Sequence, residues 1–161
     1  LNTVIHIRRG DEFRHARLID ESIFASVAFI FLEEFHRMKD ALKTQGVVDM
    51  RFHVYSEGEE TDFPLFVKDS LLKGYTTLHL NGDPFQAFHS MTKADVLVSL
   101  SRSAFANTAA LLRDKGLTIG IARSCFAKQH ILLDVSKNKT RKYINSTISI
   151  PLRAFFASMQ K

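Results

Sequence analysis

The chain has 161 residues, 45% apolar and 24% charged, with a net charge of +5 at pH 7. That is one domain's worth of chain with enough apolar side chain for a core, and no low-complexity tract argues for disorder. No run of about 18 apolar residues could span a bilayer, the lone Cys125 leaves no internal disulfide or multi-cysteine metal cluster, and the positive charge suits an anionic partner without naming one.

Leu1 is not an initiator methionine, and an apolar run opens at once with Thr3-Val4-Ile5-His6-Ile7, so the chain is expected to be a piece of a longer protein. Residues 4–7 predict a first strand, closed by Arg8-Arg9-Gly10-Asp11. Ile23, Val27, Ile30, Phe31, Phe35, Met38 and Leu42 recur every three or four positions. This predicts one long helix over 20–44, with Asp20 as N-cap and Gly46 as its stop. A second strand over 52–55 ends in Ser56-Glu57-Gly58, and a short helix is expected over 64–72. A third strand over 76–80 runs into the turn Asn81-Gly82-Asp83-Pro84. A helix over 85–92, a strand over 94–99, a helix over 103–113 and a strand over 117–121 follow. Beyond Asp134 the pattern reads as a strand over 143–150 and a closing helix over 151–159, with Pro151 in its first turn.

Strands separated by helices imply parallel pairing through right-handed crossovers, hence a three-layer α/β domain of Rossmann-like type with a mainly parallel sheet. Strands apolar on both faces, such as Ala94-Asp95-Val96-Leu97-Val98, suit a sheet covered on both sides. The reading is one domain over 1–161, with a core at about 3–121 and an extension at 122–161 packing on it. Such sheets bind ligands outside the carboxyl ends of their strands, which directs attention to residues 8–11, 56–60, 81–83 and 99–105.

In the first of these, side-chain alternation puts His6 and Arg8 on one side and Ile5, Ile7 and Arg9 on the other. Two guanidinium groups at the mouth of a buried strand repel each other unless an anion or carboxylate lies near, and guanidinium grips two phosphate oxygens at once. Gly10 permits a sharp turn, and Asp11 is placed to brace one arginine; a plainer alternative is a surface Arg9–Asp11 pair beside a core His6. In the second, Ser101 and Ser103 begin a helix whose amides and dipole favour a phosphate, although the same serines serve as ordinary N-caps. In the third, Glu57 in Ser56-Glu57-Gly58-Glu59-Glu60 is either a partner for a ribose or base edge or part of a solvated acidic loop. His15, His36, His53, His79 and His89 show no metal spacing and are read as ordinary. The sequence has no G-x-G-x-x-G, phosphate-binding P-loop, nucleophile elbow, H-E-x-x-H or Asp-x-Asp, so arginine and helix amides would neutralise a diphosphate without a metal.

These residues bring a family into view. His6-Ile7-Arg8-Arg9-Gly10-Asp11 resembles the H-x-R-R-G/T-D motif of the α-1,2-, α-1,6- and protein-O-fucosyltransferase group. Ser101-Arg102-Ser103-Ala104-Phe105 with Ala109-Ala110-Leu111-Leu112 is similar to that group's S-x-S-x-F-x-x-x-A-x-L stretch, and the likeness runs in order over about 3–121. The resemblance implies the C-terminal, donor-binding half of a GT-B fold, taking GDP-fucose or a related nucleotide sugar for metal-independent, inverting transfer to a glycan or protein acceptor. It implies that Arg8 is the catalytic contact to the β-phosphate and that His6 and Glu57 lie beside the nucleotide. Ser103 would meet the diphosphate with Ser101 and Phe105 nearby, and Arg9, Gly10 and Asp11 would support the loop. It also implies a missing N-terminal domain, without which the fragment is expected to be inactive. Where the α-1,2 and α-1,6 enzymes carry an acid facing the nucleotide, this chain has Ala87, with Asp83 the nearest substitute. The sequons Asn138-Lys139-Thr140 and Asn145-Ser146-Thr147 favour a secretory compartment. The alternative is a noncatalytic nucleotide- or glycan-binding module. No nucleic-acid partner is expected, because no aromatic platform interleaves the basic residues.

Overall fold

The computed structural model describes residues 1–9, 20–101, 103–121, 130–134 and 141–159. In chain order these form β1 (Asn2–Ile7), α1 (Glu21–Arg37), α2 (Lys39–Thr44), β2 (Arg51–Ser56), α3 (Pro64–Val67) and β3 (Thr76–Leu80). There follow α4 (Pro84–Lys93), β4 (Val96–Ser99), α5 (Ala104–Leu111), β5 (Leu117–Ile121), β6 (His130–Leu133) and α6 (Arg141–Ser158). The six strands make one sheet in the order β3-β2-β1-β4-β5-β6, parallel at every pairing. The domain is therefore α/β and Rossmann-like, as the alternation of strands and helices predicts.

Each face of the sheet has its own apolar layer. Ile5, Phe52, Val54, Val96, Val98 and Ile119 join the buried side chains of α1 and α6, among them Phe24, Phe31, Ile148 and Phe156. Phe31 and Phe156 meet edge to face with centroids 6.4 Å apart, a pairing worth about 0.5–1.5 kcal/mol beyond its buried area. On the other face Val4 and Leu97 pack against Met91, Ala106 and Ala109 of α4 and α5. The register pairs Val4 with Leu97 and His6 with Ser99, so His6 follows Val4 onto the α4/α5 side. Strand order reverses between β1 and β4, and the crevice outside their carboxyl ends is where such a sheet binds ligands.

Three expectations need correction. The helix expected over 20–44 is two helices, because Met38 leaves helical geometry at φ −103°, ψ 10°. The predicted ends hold: the Asp20 carboxylate accepts from Ser22 N, and Gly46 (φ 79°) closes α2. Gly46 N donates to Lys43 O and Val47 N to Leu42 O, a Schellman closure that satisfies the last carbonyls. The helix expected over 64–72 is only the single turn α3, followed by a separate 3-10 turn at Lys73–Tyr75.

The third correction concerns residues 143–150, which form part of α6 and not a strand; α6 runs on through Pro151. The β-branched residues there suggested alternation, yet the buried apolar residues are Ile144, Ile148, Leu152 and Phe156, four apart, which is one helical face. Arg153 locks this helix to α1, donating through Nε and Nη2 to the two carboxylate oxygens of the buried Glu34 at 2.7 and 2.9 Å. Within the predicted extension, β6 joins the sheet as its edge strand and α6 covers one face. No helix of the described residues is long and apolar enough to cross a membrane.

Candidate functional site

A cavity of about 380 Å³ opens at the carboxyl ends of β1, β2 and β3 and against the first turn of α5. It brings together His6, Arg8, Arg9, Glu57, Ser103 and Phe105, which lie on three separate stretches of chain. Ser101 is not among its lining residues; its Oγ is buried and without a hydrogen-bond partner among the described residues. Gly10 and Asp11 lie outside the described residues, so the expected brace by Asp11 is not part of this description.

Each element delivers its side chain for a local reason. β1 ends in the pocket because its pairing with β2 and β4 stops at Ile7 and His6, which frees the next residues from the sheet. Ser56 Oγ donates to Ile7 O at 2.7 Å and ties the ends of β1 and β2 together. Arg9 turns from the α4/α5 side: its Nη1 donates to Asp62 O at 3.1 Å and its Nη2 to Asp62 Oδ1 at 3.3 Å. Its guanidinium also lies 5.1 Å from the centroid of the Phe63 ring. Both arginines line the cavity, just past the end of β1. Asp62 gives Arg9 an acidic partner, and Arg8 lies with His6 at the cavity.

His6 sits deep, its ring 5.9 Å from that of Phe105, which packs at 5.3 Å on Phe88. Burial first, and then the neighbouring Arg8 charge, lower its pKa from 6.5 to about 4, so the imidazole is neutral at pH 7. Its Nδ1 is buried with no partner among the described residues, a polar atom left for a ligand or water to satisfy.

Ser103 is the N-cap of α5, its Oγ accepting from Ala106 N at 3.3 Å. The expected capping and the expected place beside the cavity therefore coincide, with one lone pair of the hydroxyl used by the helix. Ala104 and Phe105 line the same wall, and amides in a first helical turn have no helical acceptor. With the dipole behind them they offer an anion a cradle that needs no side chain.

Glu57 stands exposed at the rim, one strand over from β1. Ala87 also lines the cavity, but Asp83 does not replace the missing acid: its carboxylate accepts from Phe85 N at 2.9 Å and caps α4. Two residues escaped the sequence reading. His79 lines the cavity, its ring stacked on Tyr55 with centroids 4.4 Å apart and an 8° interplanar angle. Its Nε2 lies 3.1 Å from His53 Nδ1, and Tyr55 Oη donates to Ser90 Oγ at 2.8 Å, anchoring the stack to α4. Burial lowers the pKa of both His53 and His79, which favours the neutral rings. The signal was the matched alternation of His53 and Tyr55 with Thr77 and His79 on neighbouring strands, visible only once β2 and β3 are paired. His36 is a peripheral contact, its Nε2 3.1 Å from Tyr75 Oη, and His89 is exposed, as read; His15 lies outside the described residues.

No protein-family model matches the sequence, and no curated protein matches it. Solved structures share its fold, among them the two that follow. Carbon monoxide dehydrogenase IV from Carboxydothermus hydrogenoformans superposes with a TM-score of 0.54 at 9% identity, over 99% of this chain and 21% of that one. The pneumococcal O-GlcNAc transferase GtfA, determined with UDP and GlcNAc, gives 0.51 at 13% identity, over 99% of this chain and 32% of that one. The chain thus spans a third or less of each neighbour's length. At these identities the likeness establishes the Rossmann-like fold, which one glycosyltransferase and one oxidoreductase both use, and function has to be argued from the site.

Proposed function

We propose that this chain is the donor-binding half of a fucosyltransferase-like glycosyltransferase, and that its cavity takes a nucleoside diphosphate sugar, GDP-fucose by the motif resemblance. The observation that carries the reading is the convergence of Arg8 and the first turn of α5 on one cavity at the strand-order switch. The neighbour GtfA, determined with UDP, lends the fold a precedent for this use. In this reading the diphosphate lies between Arg8 and the Ala104 and Phe105 amides, and no metal is needed to neutralise it. His6 presents a neutral edge to the nucleotide, and Glu57 faces its hydroxyl-bearing end.

The chemistry is an inverting displacement. The acceptor oxygen bonds to the anomeric carbon while the bond from that carbon to the β-phosphate oxygen breaks, and GDP departs with the electron pair. Negative charge grows on the leaving diphosphate, so a fixed guanidinium stabilises the transition state more than the ground state, by about 3–4 kcal/mol by analogy with single oxyanion donors. Acceptor and proton removal belong to a second domain of the longer protein, facing this cavity across a cleft.

Calorimetric titration tests the binding half of the proposal. GDP should bind saturably with 1:1 stoichiometry, and Arg8→Ala should weaken it about ten- to a hundredfold, the range of a lost charge-assisted hydrogen bond. Equal affinity in parent and variant would remove Arg8 from the site. Transfer or hydrolysis of GDP-fucose by the longer protein then separates an enzyme from a noncatalytic nucleotide-binding module of the same fold.

A further inference from the structure

The cavity wall beyond β3 includes a residue in an unusual conformation. Asn81 has φ 53°, the only non-glycine residue at positive φ among the described residues. Asparagine tolerates this region better than most residues, but glycine would occupy it without cost. The side chain accounts for the choice. Asn81 Oδ1 accepts from Gly58 N at 3.0 Å, Asn81 Nδ2 donates to Gly58 O at 2.8 Å, and Asn81 N donates to Ser56 O at 3.0 Å. One amide thereby mimics a paired strand and clasps the loop after β2 to the turn after β3.

The same loop is held from its far side. Gly58 is at φ +115°, and a Cβ there would come within 2.5 Å of Asp62 Oδ2. Asp62 accepts from Glu59 N and is the partner of Arg9. Glu57 lies within the Asn81 clasp, between Ser56 and Gly58, so its backbone is fixed while its side chain stays exposed at the cavity. A carboxylate there repels phosphate. It therefore matches the ribose end of a ligand whose phosphates lie over β1 and β4, and both Glu57 and Asn81 sit toward β2 and β3.

We infer that Asn81 is a positioning residue which, through the Glu57 loop, makes the site select a nucleoside diphosphate over bare pyrophosphate. The inference rests on the proposed nucleotide-binding function and adds to it the device that reads the nucleoside.

Asn81→Gly is the discriminating variant, because it keeps positive φ unstrained while deleting the clasp. Its affinity for GDP should fall about tenfold, the scale of one or two lost hydrogen bonds, while its affinity for inorganic pyrophosphate stays at the parent value and its far-UV circular dichroism shows the parent fold. Glu57→Gln should lower GDP affinity likewise, and the double variant should lose little more than either single one. Unchanged GDP affinity in Asn81→Gly, or an equal fall for GDP and pyrophosphate, would overturn the inference while leaving the nucleotide site intact. A parent protein that binds neither ligand would overturn the nucleotide reading itself, and this inference with it.

Discussion

At the scale of single residues, the site depends on giving two adjacent arginines different tasks. Arg9 is engaged by Asp62 and Phe63, which orders the loop beside the cavity. Arg8 shares the cavity with a histidine that burial and the Arg8 charge keep neutral. This has a consequence for stability. Between about pH 6.5 and about pH 4 the unfolded chain takes up a proton at His6 that the folded chain refuses, so acidification favours unfolding. Denaturant titrations should therefore show a loss of stability with slope reaching about 1.4 kcal/mol per pH unit in that window from His6 alone, and none from it above the window. His53 and His79, also lowered, add to the loss in the same direction. His6→Asn should flatten the profile; an unchanged profile would mean that His6 protonates as freely in the fold as out of it.

At the scale of elements, the first five strands were the most legible part of the chain, whereas β6 and the order of strands in the sheet were not read from the sequence. Thr76–Leu80 and Leu117–Ile121 fall where apolar runs bounded by turn residues put them. Less legible were breaks that depend on partners far away in sequence. Nothing local marks Met38 as the end of α1, and a proline eleven residues into α6 argued for a boundary that packing against α1 overrides. The two readings of the 143–150 segment differ in a measurable way. A strand would put Ile144, Ile148 and Ile150 on one face, whereas α6 buries the first two and leaves Ile150 72% exposed. Leu152→Ala should cost about 2–5 kcal/mol and Ile150→Ala less than about 0.5 kcal/mol by chemical denaturation. Comparable losses at the two positions would contradict the helix.

At the scale of the whole molecule, the sheet order turns separate sequence signals into a site. His6-Ile7-Arg8-Arg9 and Ser103-Ala104-Phe105 are about a hundred residues apart in the chain, and their meeting follows from β1 and β4 being neighbours at the reversal of strand order. The motifs themselves could be read from one sequence, because guanidinium and open helix amides are local features. The His53–His79–Tyr55 stack and the Asn81 clasp could not, since each depends on the β2–β3 register and on loops that only the fold brings together. Whether one diphosphate bridges β1 and the start of α5 can be read from amide chemical shifts during a GDP titration of the uniformly ¹⁵N-labelled protein. The Ala104 and Phe105 amides should shift together with those of residues 6–9, and Arg8→Ala should move the same response to about ten- to a hundredfold higher GDP. Shifts confined to another surface, or an α5 turn that stays silent while GDP binds, would contradict the bridge.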